Sequence, residues 1–211
     1  MKLLTEEEFA ELISHKQCLA IDSRSILSSA DKFIEGALCI PWGENFIPLF
    51  QKLVDDKQNI LLLCDAQNAE EIIRNILATG FSNISGWIDP SAIKNLSTSV
   101  IIVIDADEFK LDYDYDEFYL IDVRDADLYE KYHIEFSQNI PLDDIDTVFQ
   151  DLDPKMRIYI VGDDAMHAFT AASLLKMLGF ELIRVVGCNF DELVEKGLPI
   201  IRSSKNSSPS Q

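Results

Sequence analysis

Ile60-Leu-Leu-Leu-Cys-Asp-Ala-Gln-Asn-Ala69 is the stretch on which the reading of the chain turns. Four apolar residues end on a cysteine, a short polar loop follows, and Glu70 to Ala78 then has the spacing of an amphipathic helix. Strand, loop and helix in that order make up the unit of a parallel α/β sheet. A thiol at the carboxyl end of a strand, ahead of a helix N-terminus, faces backbone N–H groups and the positive end of the helix dipole. Both favour a thiolate. The same shape recurs as Ile158-Tyr-Ile-Val-Gly-Asp-Asp-Ala-Met-His167, with Gly162 in the cysteine's place.

Outward from these two stretches the recurrence continues. Asp22 and Arg24 return as Asp122 and Arg124, and Ile40-Pro41 as Ile140-Pro141, both after 100 residues. Gly80-Phe81 returns as Gly179-Phe180 after 99, and the Ile60 strand as the Ile158 strand after 98. Four landmarks in one order at nearly one offset are the mark of an internal duplication. Within each half, short apolar strands alternate with helical patterns. Thr5 with Glu8 forms a capping box ahead of the Phe9, Leu12, Ile13 stripe. Cys18–Ile21 reads as a strand, Phe33 to Pro41 as a turn into a strand, and Phe46 to Val54 as a helix. Gly80 is placed to end the helix that follows the cysteine. Asn95-Leu-Ser-Thr-Ser99 reads as a linker before the Val100–Ile104 strand. A parallel sheet covered on both faces is expected in each half, with Asp22, Cys64 and Gly86, and likewise Asp122, Gly162 and Gly187, along its carboxyl edge.

Bulk properties narrow the function classes. The chain has 211 residues, 47% of them hydrophobic, and a net charge of −19 from 37 acidic and 18 basic side chains. Such a surface repels nucleic acid and anionic lipid. No apolar run reaches the length of a membrane span, and the start turns acidic too soon for a signal peptide, so a cytoplasmic protein is expected. Cys18, Cys39, Cys64 and Cys188 form no C-x-x-C pair, which argues against a zinc site or a disulfide framework. Neither metal nor cofactor is called for.

The landmark residues resemble the rhodanese (sulfurtransferase) family. Ile121-Asp-Val-Arg124, Tyr129-Glu-Lys-Tyr-His-Ile134, Asn139-Ile-Pro141, Leu178-Gly-Phe180, Val186-Gly187 and Gly197-Leu-Pro199 carry the likeness in the second half. Asp22-Ser-Arg24, Ile34-Glu-Gly-Ala37, Ile40-Pro41, Gly80-Phe81 and Gly86-Trp87 carry it more loosely in the first. The resemblance implies two tandem rhodanese-like domains, residues 1–97 and 100–202, each a mostly parallel sheet flanked by helices on both faces. A disordered tail, 203–211, would follow. The region Pro41-Trp-Gly-Glu-Asn-Phe46 is also similar to rhodanese modules fused to metallo-β-lactamase-fold persulfide dioxygenases, which suggests such a hydrolase as partner.

Family chemistry runs through a cysteine persulfide held by loop N–H groups, with a basic side chain for the anionic donor. Cys64 stands at the nucleophile position, followed by the loop Asp65, Ala66, Gln67, Asn68 and Ala69, which has no glycine and no Arg or Lys. The interval from Cys64 to Gly80 is one residue shorter than that from Gly162 to Gly179. Asp65, Glu70 and Glu71 set three negative charges against about half a positive charge from the helix N-terminus. Cys64 is therefore expected to be a thiol near neutral pH. In the second half the site is vacated: Gly162, Asp163, Asp164, Ala165, Met166 and His167 supply no nucleophile, and the aspartates would repel thiosulfate. Cys188, at the second glycine of the family's Gly-Gly, reads as a bystander. Asp22, Arg24, Asp122, Arg124 and His133 read as structural. Arg74 and Lys94 are the only basic residues from Asn59 to Val100, and both are placed outside the loop. A phosphatase on the related fold would need an arginine closing a longer cysteine loop, and none is present. The leading expectation is a sulfurtransferase-like module that is weak or silent in catalysis and serves in binding or assembly near persulfide metabolism. The alternative is a working sulfurtransferase acting through Cys64.

Overall fold

The computed structural model describes residues 1–115, 117–148 and 153–203. All but the first residue of the expected 203–211 tail therefore lies outside the described residues. The first half runs α1 (Glu6–Ser14), β1 (Leu19–Asp22), α2 (Ile26–Asp31), β2 (Phe33–Ile34), β3 (Ala37–Cys39), α3 (Phe46–Leu53), β4 (Ile60–Leu63), α4 (Ala66–Ala78), β5 (Ile84–Ile88) and β6 (Thr98–Ser99). The second runs β7 (Ile102–Ile104), α5 (Ala106–Tyr115), β8 (Tyr119–Asp122), α6 (Ala126–Lys131), β9 (Tyr132–Ile134), β10 (Gln138–Asn139) and α7 (Ile145–Val148). It closes with β11 (Ile158–Val161), α8 (Ala165–Met177), β12 (Ile183–Val186), α9 (Phe190–Glu195) and β13 (Ile200–Arg202).

Local chemistry sets these boundaries. Thr5 Oγ1 accepts from the Glu8 N–H at 3.3 Å while the Glu8 carboxylate accepts from the Thr5 N–H at 3.0 Å, so the capping box is closed. Phe9 is thereby turned into the core. Gly80 and Gly179 end α4 and α8 at φ +93° and +92°, a conformation that costs a glycine nothing. The phenylalanine after each glycine is buried.

The two main sheets share one order. Strands β3-β1-β4-β5 form the first and β10-β8-β11-β12-β7 the second, and the pairs within each are parallel. The place of β7 is taken in the first half by Leu3, which bridges to Trp87. Each half also has a separate antiparallel pair, β2 with β6 and β9 with β13. Thr98 and Ser99, expected in a linker, are thus a paired strand, and the Glu6 carboxylate binds the N–H groups of Lys94, Asn95 and Leu96 just before it. A free linker would leave those donors to water. Here a carboxylate on the first turn of α1 fixes them.

Successive residues of each central strand face opposite ways, and two kinds of core result. Leu61 and Leu63 point to an outer core with Phe9, while Tyr159 and Val161 point to another with Phe109. Ile60 and Leu62, with Ile158 and Ile160, point to one central core shared by both halves. It is assembled asymmetrically. Strand β3 is wholly buried and packs against α8, where the Cys39 N–H donates to Ser173 Oγ at 2.9 Å. Helix α8 buries Phe169, Thr170, Ala172 and Ser173 as well as the residues facing its own sheet. Helix α4 buries only Ala69, Ile72 and Ile76.

Candidate functional site

Cys64 follows β4 at the carboxyl edge, on the side facing the central core, and is only 1% exposed. Its N–H donates to Ile88 O at 3.2 Å, and the Leu63 carbonyl beside it accepts from Ser23 N–H and Oγ. The polar loop expected after it is not a loop. Asp65 is the N-cap and α4 begins at Ala66, so Ala66, Gln67, Asn68 and Ala69 form the helix's first turn. Both α4 and α8 have 13 residues, which places the missing residue of the first half before the helix. The second half has Asp163 and Asp164 ahead of α8, where the first has Asp65 alone.

The first orphan donor at the start of α4, the Ala66 N–H, is already engaged. Asp89 Oδ2 accepts from the Ala66 N–H at 2.8 Å, and Oδ1 accepts from the N–H and hydroxyl of Ser91. Ser91, then Ala66, hold the Asp89 carboxyl below its usual range. Strand register explains how this carboxylate arrives. A bulge between Ile60 and Leu61 pairs Leu61 with Gly86 and Leu63 with Ile88, whereas Tyr159 pairs with Arg184. Asp89 consequently stands where the second half has Gly187. Gly86, expected at the sheet edge, lies inside β5, and a Cβ there would come within 2.9 Å of Leu4. Spacing alone puts Gly86 at the family glycine, because no residue type marks the bulge.

Electrostatics follow from this packing. Burial pushes the Cys64 thiol up to about 12, reinforced by the charges of Asp65, Asp89 and Asp22 in that order. Glu70 and Glu71, expected to crowd the thiol, are exposed on α4. Asp89 and Asp22 take their place, brought by β5 and β1.

In the second half, Gly162 follows β11, and a Cβ there would meet the Ala168 nitrogen at 3.1 Å and the Asp164 oxygen at 3.2 Å. Any larger residue would be pressed against the first turn of α8. Asp164 is the N-cap, accepting from the His167 N–H at 2.9 Å and from Nδ1 at 2.8 Å. These bonds hold its carboxyl down to about 2, and its carboxylate in turn raises His167. Asn45 of the first half also donates to Asp164, at 3.0 Å, while Met166 lies over Gly43. Ala165, Met166 and His167 are helical, so only Gly162–Asp164 form loop. Asp163 is exposed, with its pKa raised by what burial it has.

Buried ion pairs anchor both edges. Asp22 and Arg24 meet through Nη2 at 2.6 Å and Nε at 2.9 Å, and Asp122 and Arg124 at 2.7 and 3.0 Å. Each arginine also donates to a carbonyl eight residues on, Lys32 O or Tyr132 O. His133 stacks on Tyr129 at 4.0 Å and bonds its carbonyl through Nδ1 at 2.9 Å. Beside Arg24 opens a cleft of about 540 Å³ lined by Lys32, Asp65, Ser91 and Lys94. A counterpart of about 670 Å³ lies beside Arg124, Tyr132, Asp163 and Phe190. Lys94, outside the Asp65–Ala69 loop as expected, lines the first cleft. Lys32, from the end of α2, lines it too. Cys188 is half-buried, its thiol also pushed up to about 12 by burial, Glu192 and Asp105. Among the described residues no group of three or more His, Cys, Asp or Glu is placed to hold a metal ion. None of their helices is long and apolar enough to cross a membrane.

The family pattern of the rhodanese-like domain matches residues 105–196. The chain carries a rhodanese-like domain. It is the half with Gly162 that matches, in line with the fuller set of landmark residues there. Among solved structures, the rhodanese-like domain of the Alr3790 protein from Anabaena sp. is 26% identical, covering 51% of this chain and 86% of that one with a TM-score of 0.45. A rhodanese-related protein from Thermoplasma volcanium is 20% identical, covering 47% and 97%, with a TM-score of 0.42. EanB, described as a cysteine persulfide with ergothioneine, is 14% identical over 100% of this chain and 64% of its own, with a TM-score of 0.42. No curated protein matches.

Proposed function

We propose that this protein is a tandem pair of rhodanese-like domains, residues 1–97 and 100–202, in which neither nucleophile position supports sulfur transfer. Its role is binding or assembly near persulfide metabolism. One observation carries the reading: the Asp89 carboxylate already occupies the N–H at the start of α4. An anionic donor would need that N–H, and the buried Cys64 beside it is held as a thiol. Gly162 offers no thiol at all. Asp22–Arg24, Asp122–Arg124 and His133 serve as scaffold in this reading. The partner we propose is a metallo-β-lactamase-fold persulfide dioxygenase, on the likeness of Pro41–Phe46 to modules fused to such enzymes.

A working sulfurtransferase is the second reading, favoured by Lys32 and Lys94 at the cleft beside Asp65. There the Cys64 thiolate would attack the sulfane sulfur of thiosulfate. The S–S bond would break, sulfite would leave with its electron pair, and the persulfide would pass its outer sulfur to a thiolate or cyanide. Intact-protein mass spectrometry after thiosulfate treatment separates the two, with Cys64→Ala and Cys188→Ala beside wild type. The expected result is no added sulfur on any variant. A gain of one sulfur that disappears only in Cys64→Ala overturns the leading reading.

A further inference from the structure

The strand-on-helix contact between the two halves runs in one direction. Edge strand β3 of the first half lies against α8 of the second, through Cys39 N–H and Ser173 Oγ. The reciprocal elements are both uncovered. Gln138 and Asn139 of β10 are exposed or half-buried, whereas every residue of β3 is buried. On α4, the counterparts of Phe169, Thr170, Ala172 and Ser173 are Glu70, Glu71, Ile73 and Arg74, none of them buried. Ile73, Leu77 and Trp87 line an apolar groove of about 440 Å³ along this face. The chain thus shows one spare side of each kind.

Two substitutions between the halves fit those spare sides to each other. In the internal contact, the turn before β3 places Gly36, at φ +83°, beside Lys176 near the end of α8. The corresponding turn before β10 carries Phe136, held at φ +64° and 82% exposed. A bulky aromatic in left-handed backbone is rare and is expected where a fold uses it. The counterpart of Lys176 on α4 is Leu77, 47% exposed. Where the internal contact sets glycine beside lysine, the spare sides offer phenylalanine and leucine.

We propose that a second copy of this chain docks head to tail on α4, with Phe136 of one copy against Ile73 and Leu77 of the next, repeating the β3–α8 contact. Continuity with the internal interface argues for the same chain as occupant, and the apolar pair supplies the anchor. A contact of this kind leaves a free side at each end, so it builds open chains or closes into rings. A net charge of −19 per copy opposes it at low ionic strength, and salt relieves that opposition.

Sedimentation velocity on the full chain tests this, from micromolar to hundreds of micromolar, in dilute buffer and in about 0.5 M salt, where the Debye length falls to a few ångströms. Phe136→Gly and Leu77→Lys each install the residue of the other half at an exposed position, so both keep the fold. Wild type is expected to gain mass with concentration, more strongly in salt. Each variant alone is expected to weaken association about tenfold or more, as truncation of a buried aromatic or aliphatic anchor does. Mixing the variants pairs the intact Phe136 of one with the intact Leu77 of the other and is expected to give a species that stops at the dimer. A wild type that stays monomeric throughout overturns the proposal. So does association that survives both substitutions, or a mixture that forms no dimer.

Discussion

Helices α4 and α8 occupy the same place in sheets of the same order, follow equivalent strands and have the same length, yet they live in different surroundings. Helix α4 is amphipathic, with one face on its sheet and Glu70, Glu71 and Arg74 in water. Helix α8 is apolar nearly all round, because its outer face is the seam between the halves. The loops before them differ in step. Ahead of α4 stands the buried Cys64, with the Asp89 carboxylate on the Ala66 N–H. Ahead of α8 stands Gly162, and Asp164 is bonded by Asn45 of the first half. Two sheets of the same strand order therefore differ most where a neighbour covers one of their helices.

The largest effects should come from buried groups that have counterparts. Phe169→Ala should cost about 3–5 kcal/mol, as emptying an aromatic site in a core does. Its counterpart Glu70→Ala should stay within about 0.5 kcal/mol, as surface changes do. Paired denaturant titrations measure both, and equal costs would erase the distinction between the helices. Arg124→Ala should cost about 3–5 kcal/mol, because it strands the Asp122 carboxylate without its buried partner. Arg24→Ala should cost about the same, since the two ion pairs are superposable in geometry.

Of intermediate size, Ser173→Ala removes the acceptor of a buried strand-edge N–H and should cost about 1–3 kcal/mol. Asp89→Gly, which copies the second half's Gly187, removes one of three charges that raise the Cys64 thiol. Alkylation of that thiol at pH 8 should speed up severalfold, since less opposing negative charge raises the thiolate fraction. An unchanged rate would mean that burial and the remaining charges hold the Cys64 thiol up.

The smallest effect concerns His167. Its pKa is raised in the folded chain, so its contribution is full below its ordinary value near 6.5 and is lost as pH rises through the folded value. Asp164 is depressed to about 2, so its share is present above its ordinary range and fades as pH falls through about 2. His167→Ala should therefore lose most between pH 4 and 6, and less than about 1 kcal/mol given the partial exposure of the pair. Stability measured against pH in both proteins reads this directly.

Much of the frame was legible because it rests on local rules. The capping box at Thr5, the glycines at 80 and 179, and the strand-ending Asp-x-Arg pairs each announce themselves within a few residues. The offset of about 100 then aligned the sheets. The site was less legible because it is made by register and by distant chain. Asp89 reaches α4 only through a bulge that no residue type marks. Glu6 orders Lys94–Leu96 from nearly ninety residues away. Lys32 comes to the first cleft from another element. The apolar breadth of α8 was visible as composition, but the strand that covers it belongs to the other half.

The bond from Cys39 to Ser173 spans 134 residues. At translation rates of about 5–20 residues per second, the Cys39 N–H waits roughly 7–27 s before the residue that satisfies it is made. An unpaired edge exposed for that long invites the wrong neighbour. During synthesis, the acidic surface acts as a guard on an unfinished sheet.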